Sequence, residues 1–272
     1  MTKWFLRFAN GLITFAVVLA LATAMLYAGY ALWDNRQVYA AAENVLYDLN
    51  PRMAETEDWY EENGSAYAEV FEKLQAVNPD IGAWITVPNT GIDYPVVQGS
   101  NNIEYISTDP YGSFAIVGSI FLDFRNDKEY HDTYCLLYGH NMSENRMFSD
   151  INLYKDETFF NENQTGTLYL PTSTHQIQTL SIVLTNASDS WAFNPTPWNM
   201  IESEDIPNRV RQNAVYVSEA GMEMLQAKID AGKRPRILAL STCSNEFTDA
   251  RTILLTLMDP ETETEPEPAE ER

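Results

Sequence analysis

Apolar and polar positions change rhythm twice along this chain, dividing it into three parts. From Gly11 to Trp33 every residue is uncharged, GLITFAVVLALATAMLYAGYALW. A helix rising 1.5 Å per residue carries such a run across a hydrocarbon core of about 30 Å. From residue 34 to 79 the chain is rich in Ala, Glu, Leu and Tyr and reads as one or two amphipathic helices, broken around Asn50-Pro51 and Asn63-Gly64.

From Ile81 the texture becomes that of short strands bounded by turn residues. AWITVPNTGIDYPVVQG (83–99) predicts two strands around an Asn-Thr-Gly turn, and GSIFLDF (118–124) and TYCLLYGH (133–140) follow. TGTLYLPT, HQIQTLSIVLTNAS, PRILALSTC and RTILLTLMD complete a set of eight or more strands, spaced as in a barrel or sandwich. Two helical interruptions are predicted, MFSDINLYKDETFFNEN (147–163) and SEAGMEMLQAKIDAG (218–232), the second ending on a glycine stop signal. The expected class is mostly β: a barrel decorated by helices.

The charges around the apolar run give it a direction. Lys3 and Arg7 precede it, while Asp34, Glu43 and Asp48 follow, so the positive-inside rule predicts a cytoplasmic N-terminus and an exported remainder. Ala22–Ala24 offers a rival signal-peptidase site, but the apolar run continues past it, which favours a retained anchor in the cell membrane. With 39 acidic against 17 basic residues the formal net charge is -22, which argues against a nucleic-acid partner. Part of that acidity is the tail 260–272, PETETEPEPAEER, which has too little apolar surface to fold.

Candidate chemistry is sparse, because the chain has only three histidines and two cysteines. Cys135 lies inside an apolar strand and reads as an inert core thiol, whereas Cys243 sits where a strand stops. Two free thiols are expected rather than a disulfide. His140 also follows an apolar strand, and Arg251 comes eight residues after Cys243. If the strands ending at His140 and Cys243 lie side by side, imidazole and thiol emerge at one rim. A thiolate attacks acyl carbon, an imidazole hands a proton to a leaving amine, and a guanidinium holds a developing oxyanion. Each residue alone also fits a bland role, as core thiol, turn histidine or surface charge. Pattern alone reaches a thiol acyltransferase or hydrolase and stops there.

Several separate segments, taken in order, resemble the class B sortases, membrane-anchored cysteine transpeptidases of Gram-positive bacteria. They are IDYPVVQG (92–99), GSIFLDFRN (118–126), LLYGHNM (136–142), Met147-Phe148, LSTC (240–243) and DAR (249–251). The resemblance covers about residues 66 to 259. It implies a closed barrel of about eight strands with N-terminal helices and a long helix before the catalytic strand. It further implies Cys243 as nucleophile, His140 as general acid and base, and Arg251 as stabiliser, with Asn102, Ser241 and Thr242 near the bound substrate. One departure is Ala239, which stands where the family usually has threonine in Thr-Leu-X-Thr-Cys.

The implied organisation is a cytoplasmic N-terminus (1–10), a signal anchor (11–33), a helical stalk (34–65), a catalytic domain (66–259) and an acidic tail (260–272). The implied partners are exported proteins bearing a C-terminal sorting signal and an amine acceptor, either peptidoglycan precursor or a pilin lysine, with no metal or cofactor required. Two rivals are a membrane-tethered binding module without chemistry and a thiol peptidase that only hydrolyses. A papain-like order is disfavoured because His140 precedes Cys243, and no zinc-type spacing is present.

Overall fold

The computed structural model describes residues 2–43, 50–51, 66–142 and 146–258. The chain forms two compact units, Met1–Glu43 and Asn44–Arg272. The first is a single helix, α1 (Thr2–Glu43). Within it Lys3–Ala31 is long and apolar enough to cross a membrane, with a mean hydropathy of 2.2. Large apolar side chains along it, including Leu12, Phe15, Leu21 and Met25, are exposed. The expected anchor spans residues 11–33 and the expected helical stalk begins at residue 34. The one helix runs through both as far as Glu43, and residues 34–43 contain neither glycine nor proline to stop it. Most of the remaining stalk (44–49 and 52–65), including the Asn63-Gly64 break, lies outside the described residues, as does the acidic tail.

The second unit opens with α2 (Ala66–Val77), whose Val70, Phe71 and Leu74 form one buried stripe. They pack on Ile81, Trp84, Val97 and Phe121 of the sheet. The strands are β1 (Ile81–Thr86), β2 (Asp93–Val97), β3 (Ile120–Leu122), β4 (Tyr134–Tyr138), β5 (Thr165–Tyr169), β6 (Thr174–Asn186), β7 (Ala214–Val217), β8 (Arg236–Cys243) and β9 (Ala250–Met258). Their order is β5-β1-β2-β3-β4-β8-β9-β6-β7, and β5 also pairs with β6. The β5–β6 pairing closes eight strands into a barrel and leaves β7 as an extra strand. β6 makes this possible by its length: Thr174–Gln178 pair with β5, while Ser181–Val183 pair with β7. Its register on β9 shifts between Thr179 and Ser181, and such a bulge bends a strand away from one neighbour toward another.

Alternation along β4, β8 and β9 sorts their side chains between two faces. Tyr134, Leu136, Ile237, Ala239, Ile253 and Leu255 join a cluster with Trp198, Ile206 and Leu225 from a helical layer. That layer comprises α4 (Ser190–Phe193), a 3-10 turn (Thr196–Met200) bearing Trp198, α5 (Ile206–Arg211) and α6 (Glu219–Asp230); α3 (Glu157–Glu162) lies earlier in the chain and outside this cluster. Gly232, at φ +69°, follows α6 in the left-handed conformation of a helix stop, as expected. β7 and the short α4 and α5 were not predicted. β7 has no fully buried position to mark its alternation, and helices of four to six residues are too short to show a period.

Candidate active site

β4 and β8 run parallel and adjacent, with Tyr138 opposite Ser241. The ladder continues past β4, since the Gly139 N–H donates to the Ser241 carbonyl at 3.1 Å. Extending that register brings His140 level with Cys243 at one rim. β9 returns antiparallel, and Arg251 is the direct partner of Cys243. The three residues therefore meet through strand geometry, although His140 and Cys243 lie 103 positions apart in the chain. They line one groove of about 410 Å3 together with Asn102, Ile106, Phe121, Tyr138, Phe193 and Ser241.

The backbone of this rim is held from several sides. The Asn141 amide donates to the Cys243 carbonyl at 3.0 Å, and Asn152 does so at 3.5 Å. Beyond the thiol, Lys155 donates to Ser244 at 3.1 Å and bonds Glu246, which also accepts from the Ser244 hydroxyl. These bonds, chiefly that from Lys155, hold the Glu246 carboxyl down at about 2. The acidic side chain three residues past the thiol is thus ionised but tied to a lysine.

His140 is oriented by a main-chain oxygen: its Nε2 lies 2.8 Å from the Ile106 carbonyl. A carbonyl only accepts, so Nε2 carries the hydrogen and Nδ1 is left to exchange a proton. Ile106 is placed in turn by Gly118, whose φ is +60°. A Cβ there would come within 2.5 Å of the Ile106 oxygen, so only glycine allows this approach. Gly139 is equally constrained, since a Cβ would meet Phe148 at 2.6 Å.

Arg251 donates to the carbonyl of Ala250 at 3.0 Å. It pairs with no carboxylate among the described residues, which is notable in so acidic a chain. Four of its five N–H donors are uncommitted to that bond and are free to meet an anionic or carbonyl oxygen.

The two thiols differ as expected, both unpaired, Cys135 buried and Cys243 exposed. Burial pushes the Cys135 thiol far up, so it stays protonated and inert.

The remaining sequence-predicted residues take less direct places. Ser241 and Thr242 both line the groove beside Cys243, and the buried Thr242 hydroxyl has no hydrogen-bond partner. Asn102 reaches the groove, but its amide donates to Asp123 at 2.8 Å and accepts from the Phe124 N–H at 3.0 Å. Tyr138, Phe193 and Asp123 were not singled out from sequence. The signal for Asp123 was present in FLDFR, where an acid and a base interrupt an apolar run two residues apart.

No family model matches the chain. Among curated proteins it is 30% identical over 184 residues to the sortase B of Listeria monocytogenes, covering 68% of this chain and 70% of that protein. A Streptococcus pyogenes class B sortase involved in pilus biogenesis has a solved structure that is 34% identical, with a TM-score of 0.61 over 70% of this chain and 97% of that one. Clostridium perfringens sortase B is 30% identical, also with a TM-score of 0.61, over 70% of this chain and all of that one. A sortase B–substrate complex from Staphylococcus aureus, at 23% identity and a TM-score of 0.68, shares the fold.

Proposed function

The chain belongs to the class B sortases, and on that premise we propose that the groove cleaves a threonyl bond in exported proteins by way of Cys243 and passes the acyl group to an amine. Membership of the family makes the chain a sortase transpeptidase in general. The observation that carries the proposal is the juxtaposition in one groove of an exposed thiol, an oriented imidazole and a guanidinium with no carboxylate partner among the described residues.

In the first half-reaction the Cys243 thiolate adds to the threonyl carbonyl carbon. The oxygen becomes an oxyanion, which Arg251 holds by N–H donation. The intermediate collapses to a thioester as His140, protonated on Nδ1, hands that proton to the departing amine. In the second half His140, now neutral at Nδ1, accepts a proton from the incoming amine as it attacks the thioester. Collapse forms the new amide and releases the thiolate. Water in place of the amine gives only hydrolysis.

We read residues 11–33 as the anchor, 34–65 as the stalk and 260–272 as a tail outside the chemistry. The N-terminal charges support a cytoplasmic N-terminus and an extracellular catalytic domain (66–259). An anchored enzyme would meet exported, sorting-signal-bearing proteins at the membrane, where peptidoglycan precursor or a pilin lysine supplies the amine.

The test combines residues 66–272, internally quenched peptides centred on threonine, and an amine panel of triglycine, diaminopimelate and Nα-acetyl-lysine. A product carrying one of these amines, in amounts rising with amine concentration, is the expected result. Free acid alone at every amine concentration would reduce the reading to a thiol peptidase.

A further inference from the structure

Beneath the groove, and absent from its lining, lies a charge pair that the reaction does not use. The Asp123 side chain is 0% exposed, and its carboxylate is surrounded by donors. Oδ1 accepts from Arg125 Nε at 2.8 Å and from the Arg125 backbone N–H at 3.0 Å. Oδ2 accepts from Arg125 Nη2 at 2.7 Å, Asn102 Nδ2 at 2.8 Å and the Tyr138 hydroxyl at 3.0 Å. Burial alone would raise the Asp123 carboxyl, but the Arg125 bonds and the other donors outweigh it and hold it below its ordinary value.

Arg125 also reaches the other way. Nη2 donates to the Phe193 carbonyl at 2.7 Å and Nη1 to the Asn194 side chain at 3.3 Å. One ion pair therefore joins the loop bearing Asn102, the end of β3, strand β4 at Tyr138 and the end of α4 at Phe193. Three of those residues line the groove. The Tyr138 ring stacks on Phe121 at 5.1 Å and on Phe193 at 6.4 Å, forming an aromatic wall beside Ser241. Asp123 is fully buried while the Arg125 side chain is 31% exposed, so desolvation of the acid and solvent screening of the guanidinium leave the pair a poor source of stability. What this pair does supply is a fixed separation between segments that are distant in sequence.

We propose that Asp123 and Arg125 are positioning residues that set the spacing of the groove walls, and so the fit of the substrate's acyl side. The inference rests on the transpeptidase reading above, and it assigns the pair no contact with the reacting atoms.

Arg125→Lys separates the charge from the span. Lysine keeps a cation beside Asp123, but one nitrogen cannot serve both carboxylate oxygens, the Phe193 carbonyl and Asn194 together. KM and kcat are measured with the threonine-centred peptide that wild type cleaves fastest, and Cys243 reactivity by its rate of iodoacetamide alkylation. The expected result is a KM raised about 5- to 10-fold, the loss of roughly one hydrogen bond's discrimination, with kcat within about twofold and alkylation unchanged. Tyr138→Phe keeps the ring, removes one donor to Asp123, and should raise KM in the same sense. It carries the test if Arg125→Lys does not fold. An unchanged KM in a folded variant overturns the proposal. So does a fall in kcat accompanied by slower alkylation, which would make the pair act on the thiol. A wild-type protein that cleaves no peptide removes the transpeptidase reading itself, and this inference with it.

Discussion

Cys243→Ala is expected to reduce turnover of the threonine-centred peptide to the assay floor, a loss on the order of 10^6-fold if nucleophile removal here matches other acyl-transfer enzymes. Cys135 cannot substitute, because it is fully buried inside β4 and burial keeps its thiol protonated. The same contrast is measurable without substrate. Iodoacetamide should label the folded wild type once, at Cys243, and leave the folded Cys243→Ala variant unlabelled until denaturant exposes Cys135. Substantial turnover by Cys243→Ala would remove the thiol from the mechanism. Its fold should be intact, since an exposed side chain at a strand end contributes little packing.

The second large effect concerns Arg251. Arg251→Ala removes the donors proposed to meet the oxyanion, and kcat should fall about 10^2- to 10^3-fold with KM changed far less. Arg251→Lys tests geometry against charge. It restores the cation but not the planar fork, so recovery should be partial, leaving kcat about 10-fold or more below wild type. Full recovery by lysine would mean that only the charge matters. A rise in KM with kcat untouched would reassign Arg251 to ground-state binding. Because it makes no carboxylate pair among the described residues, its removal should leave no buried acid stranded and stability nearly unchanged.

The rim was legible in sequence for a physical reason. A continuous apolar strand that then stops on a reactive side chain shows where that side chain emerges, and both TYCLLYGH and LALSTC do this. The structure supplied the missing condition, parallel pairing of β4 with β8. The resemblance supplied barrel closure, which no local pattern encodes. β6 closes the ring through a register shift at Thr179, marked in its sequence only by the change from Ile177 to Leu180, Ile182 and Leu184 in the alternating apolar positions. The Asp123 hub was illegible for a different reason. Its partners Asn102 and Tyr138 lie 21 and 15 residues away, and Arg125 finds Phe193 at a separation of 68, so the charge pair reads locally as a turn.

The central claim is that a thioester forms on Cys243, and it is tested most directly by mass spectrometry of acid-quenched protein. Residues 66–272 are mixed with the cleaved threonine-centred peptide without an amine, then digested and mapped. The account predicts an added mass equal to the peptide through its threonine, located on the Cys243 fragment, removed by triglycine and absent from Cys243→Ala. Cleavage that proceeds with no acyl mass on Cys243, with or without the amine, would contradict it.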